Sequence, residues 1–172
     1  VVVKTDTEYT ASMCDNEKPD LVIIATGSTH TRPPITGIDR DNVVTATDVL
    51  LGKVVTKEQV VVAGGGQVGC ETAVYLASLG KKVTIVEMLP ELATDEEMTR
   101  RIFLMKAIKE NNIECLTETK IKGINIDCVE CEACLETVEI KAATVVLALG
   151  MKSVNNLAKE LEGKATVKVI GD

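Results

Sequence analysis

The stretch VVAGGGQVGCETAVYLASLGKKVTIVE, residues 61–87, decides how this chain folds. It continues from Gln59 and Val60 as an unbroken apolar run, the pattern of a strand covered on both faces. Gly64, Gly66 and Gly69 then read G-x-G-x-x-G, and VGCETAVYLASLG has helical spacing up to Gly80, a residue suited to a left-handed cap. KKVTIVE is a second strand, closed by Glu87 18 residues after Gly69. Strand, glycine turn, helix, strand and acid in this order form a dinucleotide-binding pattern.

Each element of the pattern has a chemical reason. Gly64 permits the tight turn out of the strand, Gly66 lets the backbone approach a pyrophosphate, and Gly69 lets the helix pack closely on the sheet. The helix N-terminus offers free N–H groups and a positive dipole end to the phosphates. The candidate cofactor-binding residues are therefore Gly64, Gly65, Gly66, Gln67, Val68, Gly69 and Glu87. A carboxylate at Glu87 accepts hydrogen bonds from ribose hydroxyls and repels a 2′-phosphate. Met88 and Leu89 follow it with no Arg or Lys beside the acid, so NADH is expected over NADPH.

Working outward, PDLVIIATG (19–27) reads as a short strand and STHTRPPITGID (28–39) as a Pro-rich loop. NVVTATDVLLG (42–52) reads as a strand leading to a helical turn. In LATDEEMTRRIFLMKAIKENN (92–112), Thr94 and Glu97 predict a capping box, with Asp95 and Glu96 in the first turn. Met98, Ile102, Met105 and Ile108 predict one apolar face of that helix. IECLT (113–117) is a further strand, residues 119–141 alternate as an antiparallel meander, and TVVLALG (144–150) is a last core strand. The chain is predicted to begin on a strand, VVVKTDTEYT, and to end on one, VKVIGD. The expected fold is α/β, a Rossmann-like three-layer architecture with a parallel central sheet and a small antiparallel β-meander.

Composition narrows the function classes. The 172 residues suit one domain, or one domain and a piece of a second, and 45% of them are apolar. A net charge of −7 argues against a nucleic-acid or anionic-membrane surface. No run of about 18 apolar residues predicts a membrane span. Cys70 and Cys115 lie in apolar periodic segments and read as buried free thiols, which fits a reducing cytoplasm. CVECEAC (128–134) holds Cys128, Cys131 and Cys134 without a fourth cysteine in a cluster spacing, so no metal is expected there. His30, the one histidine, reads as a loop residue beside Arg32.

VVVAGGGQVGCE, IIATG, LALGMKSVN and the closing VIGD together resemble the pyridine nucleotide–disulfide oxidoreductase superfamily of flavoproteins. TATDVLLGK, VTIVEMLPELATD and TVVLALGMKSVNNL look more closely like the C-terminal half of the 2-enoate reductase and 2,4-dienoyl-CoA reductase NADH:flavin oxidoreductases. The resemblance covers essentially the whole chain. It implies an NAD(H)-binding Rossmann domain over residues 41–152, flanked by partial FAD-domain segments at 1–40 and 153–172. It further implies that Thr26 and Gly27, with Gly171 and Asp172, are remnants of an FAD site. Gly150 would lie near the nicotinamide cofactor, and Glu71 beside nicotinamide and flavin.

The resemblance implies an enzyme part: NADH held for hydride transfer to FAD, in a parent with a further FAD domain and an N-terminal FMN barrel. The isolated piece is expected to bind NADH without turnover. An NAD(H)-sensing module without redox chemistry, and an NADH oxidase or ferredoxin reductase branch, stay open as alternatives. Cut sheet edges leave room for a homodimer.

Overall fold

A computed structural model describes residues 1–171. It divides into two compact units, one of residues 31–150 and one of residues 1–30 with 151–171.

The larger unit is built on β3 (Val43–Thr45), β4 (Gln59–Ala63), β5 (Lys82–Val86), β6 (Glu114–Leu116) and β10 (Thr144–Leu147). They form one sheet in the order β3-β10-β4-β5-β6, and every neighbouring pair is parallel. The unbroken apolar run from Val60 to Ala63 in β4 is explained by the two faces it serves. Val60 and Val62 pack on the face covered by α2 (Ala46–Leu50), α3 (Gln67–Ser78) and α4 (Met98–Glu110), with Cys70, Ala73, Leu76 and Ile108. Val61 and Ala63 pack on the other face with Ile121, Val129, Cys131 and Ile140. Those last residues come from the antiparallel meander β7 (Thr119–Ile124), β8 (Cys128–Ala133) and β9 (Glu136–Lys141). Helices, parallel sheet and meander are the three layers expected. Gly80 closes α3 at φ +80°, as its position implied.

The smaller unit holds β1 (Leu21–Ile24) paired in parallel with β12 (Thr166–Val169), and β2 (Ser28–His30) antiparallel to β11 (Met151–Ser153). Cys14, Ile24 and Leu161 are its buried core, the first from α1 (Ala11–Glu17) and the last beside α5 (Asn156–Glu160). The division falls at 30/31 and 150/151, and Ile35 and Ile38 pack into the larger unit's core.

Four local expectations are corrected. Residues 1–10 form no strand, and Val1, Val2 and Val3 are exposed without a paired neighbour among the described residues. Helix α4 starts at Met98 and not near Thr94: Glu97 is the cap, accepting from the Arg100 N–H at 3.3 Å. The N–H groups of Thr99 and Arg100 hold the Glu97 carboxyl below its ordinary pKa. Asp95, expected in the first turn of the helix, is bonded instead to the glycine turn, as shown below. On α4 only Ile108 is fully buried, while Met98 and Ile102 are exposed because no described element covers that end. Cys115 is exposed on β6, the edge strand of the sheet, whereas Cys70 is buried as expected. No helix is long and apolar enough to cross a membrane among the described residues.

Candidate dinucleotide site

A cleft of about 720 Å³ opens in the larger unit where β4, β5 and β10 end. The carboxyl ends of parallel strands are where open α/β sheets take ligands. Gly64, Gly66 and Val68 line one side, Val86, Glu87, Met88 and Asp95 a second, and Thr119 to Lys122 a third. Pro33 to Ile35 and Ala148 to Gly150 complete it.

The glycine turn is shaped by contacts that a side chain would break. Gly64 sits at φ +102°, and a Cβ there would meet the Ala148 carbonyl oxygen at 2.5 Å. A Cβ on Gly69 would meet the Gly64 carbonyl oxygen at 2.0 Å, so the first helical turn closes directly on the strand end. At Gly65 the obstruction is a side chain: Leu92 Cδ2 would be 2.3 Å away.

Glu87 is buried, and its carboxylate faces back to the turn. Oε2 accepts from the Gly65 N–H at 2.6 Å and Oε1 from the Leu89 N–H at 2.8 Å. Two N–H donors compensate the cost of burying the charge. A carboxylate has about four lone-pair sites, so acceptor capacity remains for a diol. Thr119 N–H donates to the Glu87 carbonyl at 2.9 Å, fastening the start of β7 against the acid.

Sequence reasoning missed the segment after β5. Leu92, Ala93 and Asp95 strap the glycine turn: the Ala93 N–H donates to the Gly65 carbonyl at 2.7 Å. Asp95 Oδ1 accepts from the Gln67 N–H at 2.9 Å. Arg101 fixes the strap from α4, donating to the Leu92 carbonyl at 2.9 Å and pairing with Glu91 at 2.7 Å. Ala93 adopts φ +49°, uncommon for a residue other than glycine, and this turns its N–H towards the glycine turn. An acid followed by a helix pattern reads as a cap in sequence; nothing local marks it as a partner for a turn some 28 residues earlier.

The strap matters for fit. Asp95 already places an anion on the first N–H of α3, leaving the Val68 and Gly69 N–H groups as first-turn donors that the helix cannot satisfy itself. These donors, the glycines and the spare acceptor sites of Glu87 fit a dinucleotide's pyrophosphate and ribose.

Of the other sequence candidates, Gly150 alone joins this group. Glu71 is exposed on α3, accepting from Gln67 Nε2 at 3.2 Å, and does not line the cleft. Gly150 lines it, at φ +82°. Thr26 and Gly27 belong to the smaller unit, where the Thr26 hydroxyl donates to the Val154 carbonyl and Gly27 accepts from the Val154 N–H at 2.9 Å. Gly171 has φ +92°, and Asp172 lies outside the described residues. His30 is in β2. Cys131 is buried in the meander with its thiol pushed up to about 11 by burial, while Cys134 is exposed in the β8–β9 turn, so the three cysteines of 128–134 do not converge. Burial, followed by the neighbouring Cys115, Asp95 and Glu87, pushes the Cys70 thiol up to about 12, which keeps it neutral beside the turn.

Comparison with known proteins supports the same architecture. The family model "Pyridine nucleotide-disulphide oxidoreductase" matches residues 2–169. An NADH oxidase of Thermoanaerobacter brockii is 44% identical, over 99% of this chain and 27% of that protein. A bilirubin reductase of Mediterraneibacter gnavus is 37% identical, over 94% of this chain and 25% of that protein. The solved structure of a 2-naphthoyl-CoA reductase complex superposes with a TM-score of 0.83 at 36% identity, covering 98% of this chain and 26% of that one. The chain thus spans about a quarter of the length of these relatives. With the strand–turn–helix–strand–acid unit folded around one cleft and the family model matched almost end to end, the chain belongs to the pyridine nucleotide–disulphide oxidoreductase family.

Proposed function

We propose that the cleft holds NADH, and that the chain positions it for hydride transfer to the flavin of an FAD-dependent oxidoreductase. The observation that carries this reading is the Glu87 carboxylate, bonded to the Gly65 N–H inside the cleft with acceptor capacity to spare. In this reading Glu87 takes the two ribose hydroxyls, and the Val68 and Gly69 N–H groups at the start of α3 face the pyrophosphate. Gly64, Gly65 and Gly69 let the turn pack closely against Ala148, Leu92 and the strand end, Gly66 lies against the Asp95 carboxylate, and the Gln67 N–H is held by Asp95. Gly150 borders the cleft and would lie towards the nicotinamide end; Glu71, exposed on α3 outside the cleft lining, would stand beside nicotinamide and flavin only where the cofactor extends out of the cleft. The bound cofactor supplies the hydride; the protein binds and orients it.

In the larger protein, Thr26, Gly27, Gly171 and Asp172 would contribute to an FAD site. Relatives named NADH oxidase, bilirubin reductase and 2-naphthoyl-CoA reductase favour an enzyme of the enoate or dienoyl-CoA reductase type, and they fit the NADH oxidase branch as well. Calorimetry on the purified chain tests the cofactor. NADH is expected to bind more tightly than NADPH; tighter NADPH binding would remove Glu87 as the selecting residue.

A further inference from the structure

No cation stands next to Glu87 along the chain, where Met88 and Leu89 follow it. The fold supplies one from elsewhere. Among the residues that line the cleft the charged ones are Glu87, Asp95, Lys120 and Lys122. The two lysines are on the exposed face of β7, between Thr119 and Ile121, whose side chains are buried, and Gly123.

The carboxylates are already engaged, Glu87 by the N–H groups of Gly65 and Leu89, and Asp95 by that of Gln67. Lys122 pairs with Glu132 at 3.1 Å. Glu132 is the residue opposite Lys120 in the β7–β8 register, yet its carboxylate goes to Lys122. Lys120 is therefore the one cation of the cleft without a carboxylate partner among the described residues. It is also tied to the acid through the backbone, since the preceding residue, Thr119, donates its N–H to the Glu87 carbonyl at 2.9 Å.

We propose that Lys120 is a specificity-determining residue, facing the 2′ position of the adenosine ribose and allowing a 2′-phosphate to enter despite Glu87. This rests on the reading of the cleft as a dinucleotide site. Glu87 then sets the preference for NADH, and Lys120 keeps the margin over NADPH small. A lone ammonium opposite a phosphate forms a charge-assisted hydrogen bond that a 2′-hydroxyl does not replace. Lys122, held by Glu132, contributes less.

The test uses adenosine 2′,5′-bisphosphate and adenosine 5′-monophosphate as probes, which differ only in the 2′-phosphate, titrated into the purified chain and its Lys120→Ala and Lys120→Arg variants. Lys120→Ala is expected to weaken the bisphosphate about tenfold while leaving the monophosphate within about twofold, and Lys120→Arg is expected to restore the bisphosphate. Unchanged binding of the bisphosphate, or equal weakening of both probes, overturns the assignment of Lys120. So does a wild-type chain that binds the monophosphate alone, and in that case the dinucleotide reading stands. If the wild-type chain binds neither probe, that reading falls and the role of Lys120 with it.

Discussion

Gly69→Ala is expected to destabilise the larger unit by about 2–3 kcal/mol and to remove nucleotide binding. Two effects oppose each other at this position. Gly69 is inside α3, where alanine is intrinsically better than glycine by about 1 kcal/mol. The added methyl would stand 2.0 Å from the Gly64 carbonyl oxygen and 3.3 Å from the Ala148 Cβ. A backbone oxygen held between β4 and the turn cannot yield as the tip of a flexible side chain would. The clash therefore wins, and relief must come from moving α3 off the strand end. That movement displaces the Val68 and Gly69 N–H groups from the cleft, so affinity and stability fall together. Denaturant unfolding followed by helical signal measures the first, as a shift of midpoint at constant slope. An unchanged midpoint would mean that the turn is looser than the 2.0 Å approach implies.

Glu87→Arg carries the second large effect. A guanidinium accepts no hydrogen bonds, so the Gly65 and Leu89 N–H groups lose their acceptors as the ribose loses its own. NADH affinity is expected to fall about a hundredfold, equivalent to some 2.7 kcal/mol. NADPH is expected to lose much less, because the new cation meets the 2′-phosphate, and the preference turns towards NADPH. Glu87→Gln separates charge from hydrogen bonding: it keeps one acceptor oxygen and is expected to cost less than the arginine variant. An NADH-to-NADPH ratio unchanged by Glu87→Arg would take Glu87 out of the ribose site.

Both residues were legible in the sequence because their signals are local. Gly69 is fixed by its spacing from Gly64 and Gly66, and Glu87 by the strand that follows α3. The parallel sheet was legible too, since a strand such as β4 must carry an unbroken apolar run, here Val60 to Ala63, to serve two covered faces. Residues whose roles depend on distant segments were not legible. Thr94 and Glu97, with Asp95 and Glu96 between them, have the spacing and composition of a helix start, but Asp95 is bound to Gln67 and the helix begins only at Met98, capped by Glu97. Lys120 enters the cleft from a strand beginning 32 residues after Glu87, brought there by a backbone bond from Thr119 that no residue type encodes. The apolar spacing of α4 promised a buried face, yet Met98 and Ile102 extend past the layer that would cover them.

The most direct test of NADH binding at the glycine turn is a titration of the isotopically labelled chain with NADH, followed by amide NMR shifts. Saturable shifts are expected at Gly65 to Gly69, Glu87 and Thr119 to Lys120, with a dissociation constant below about 1 mM. Absence of shifts at millimolar NADH, or shifts confined to residues outside this cleft, would contradict it.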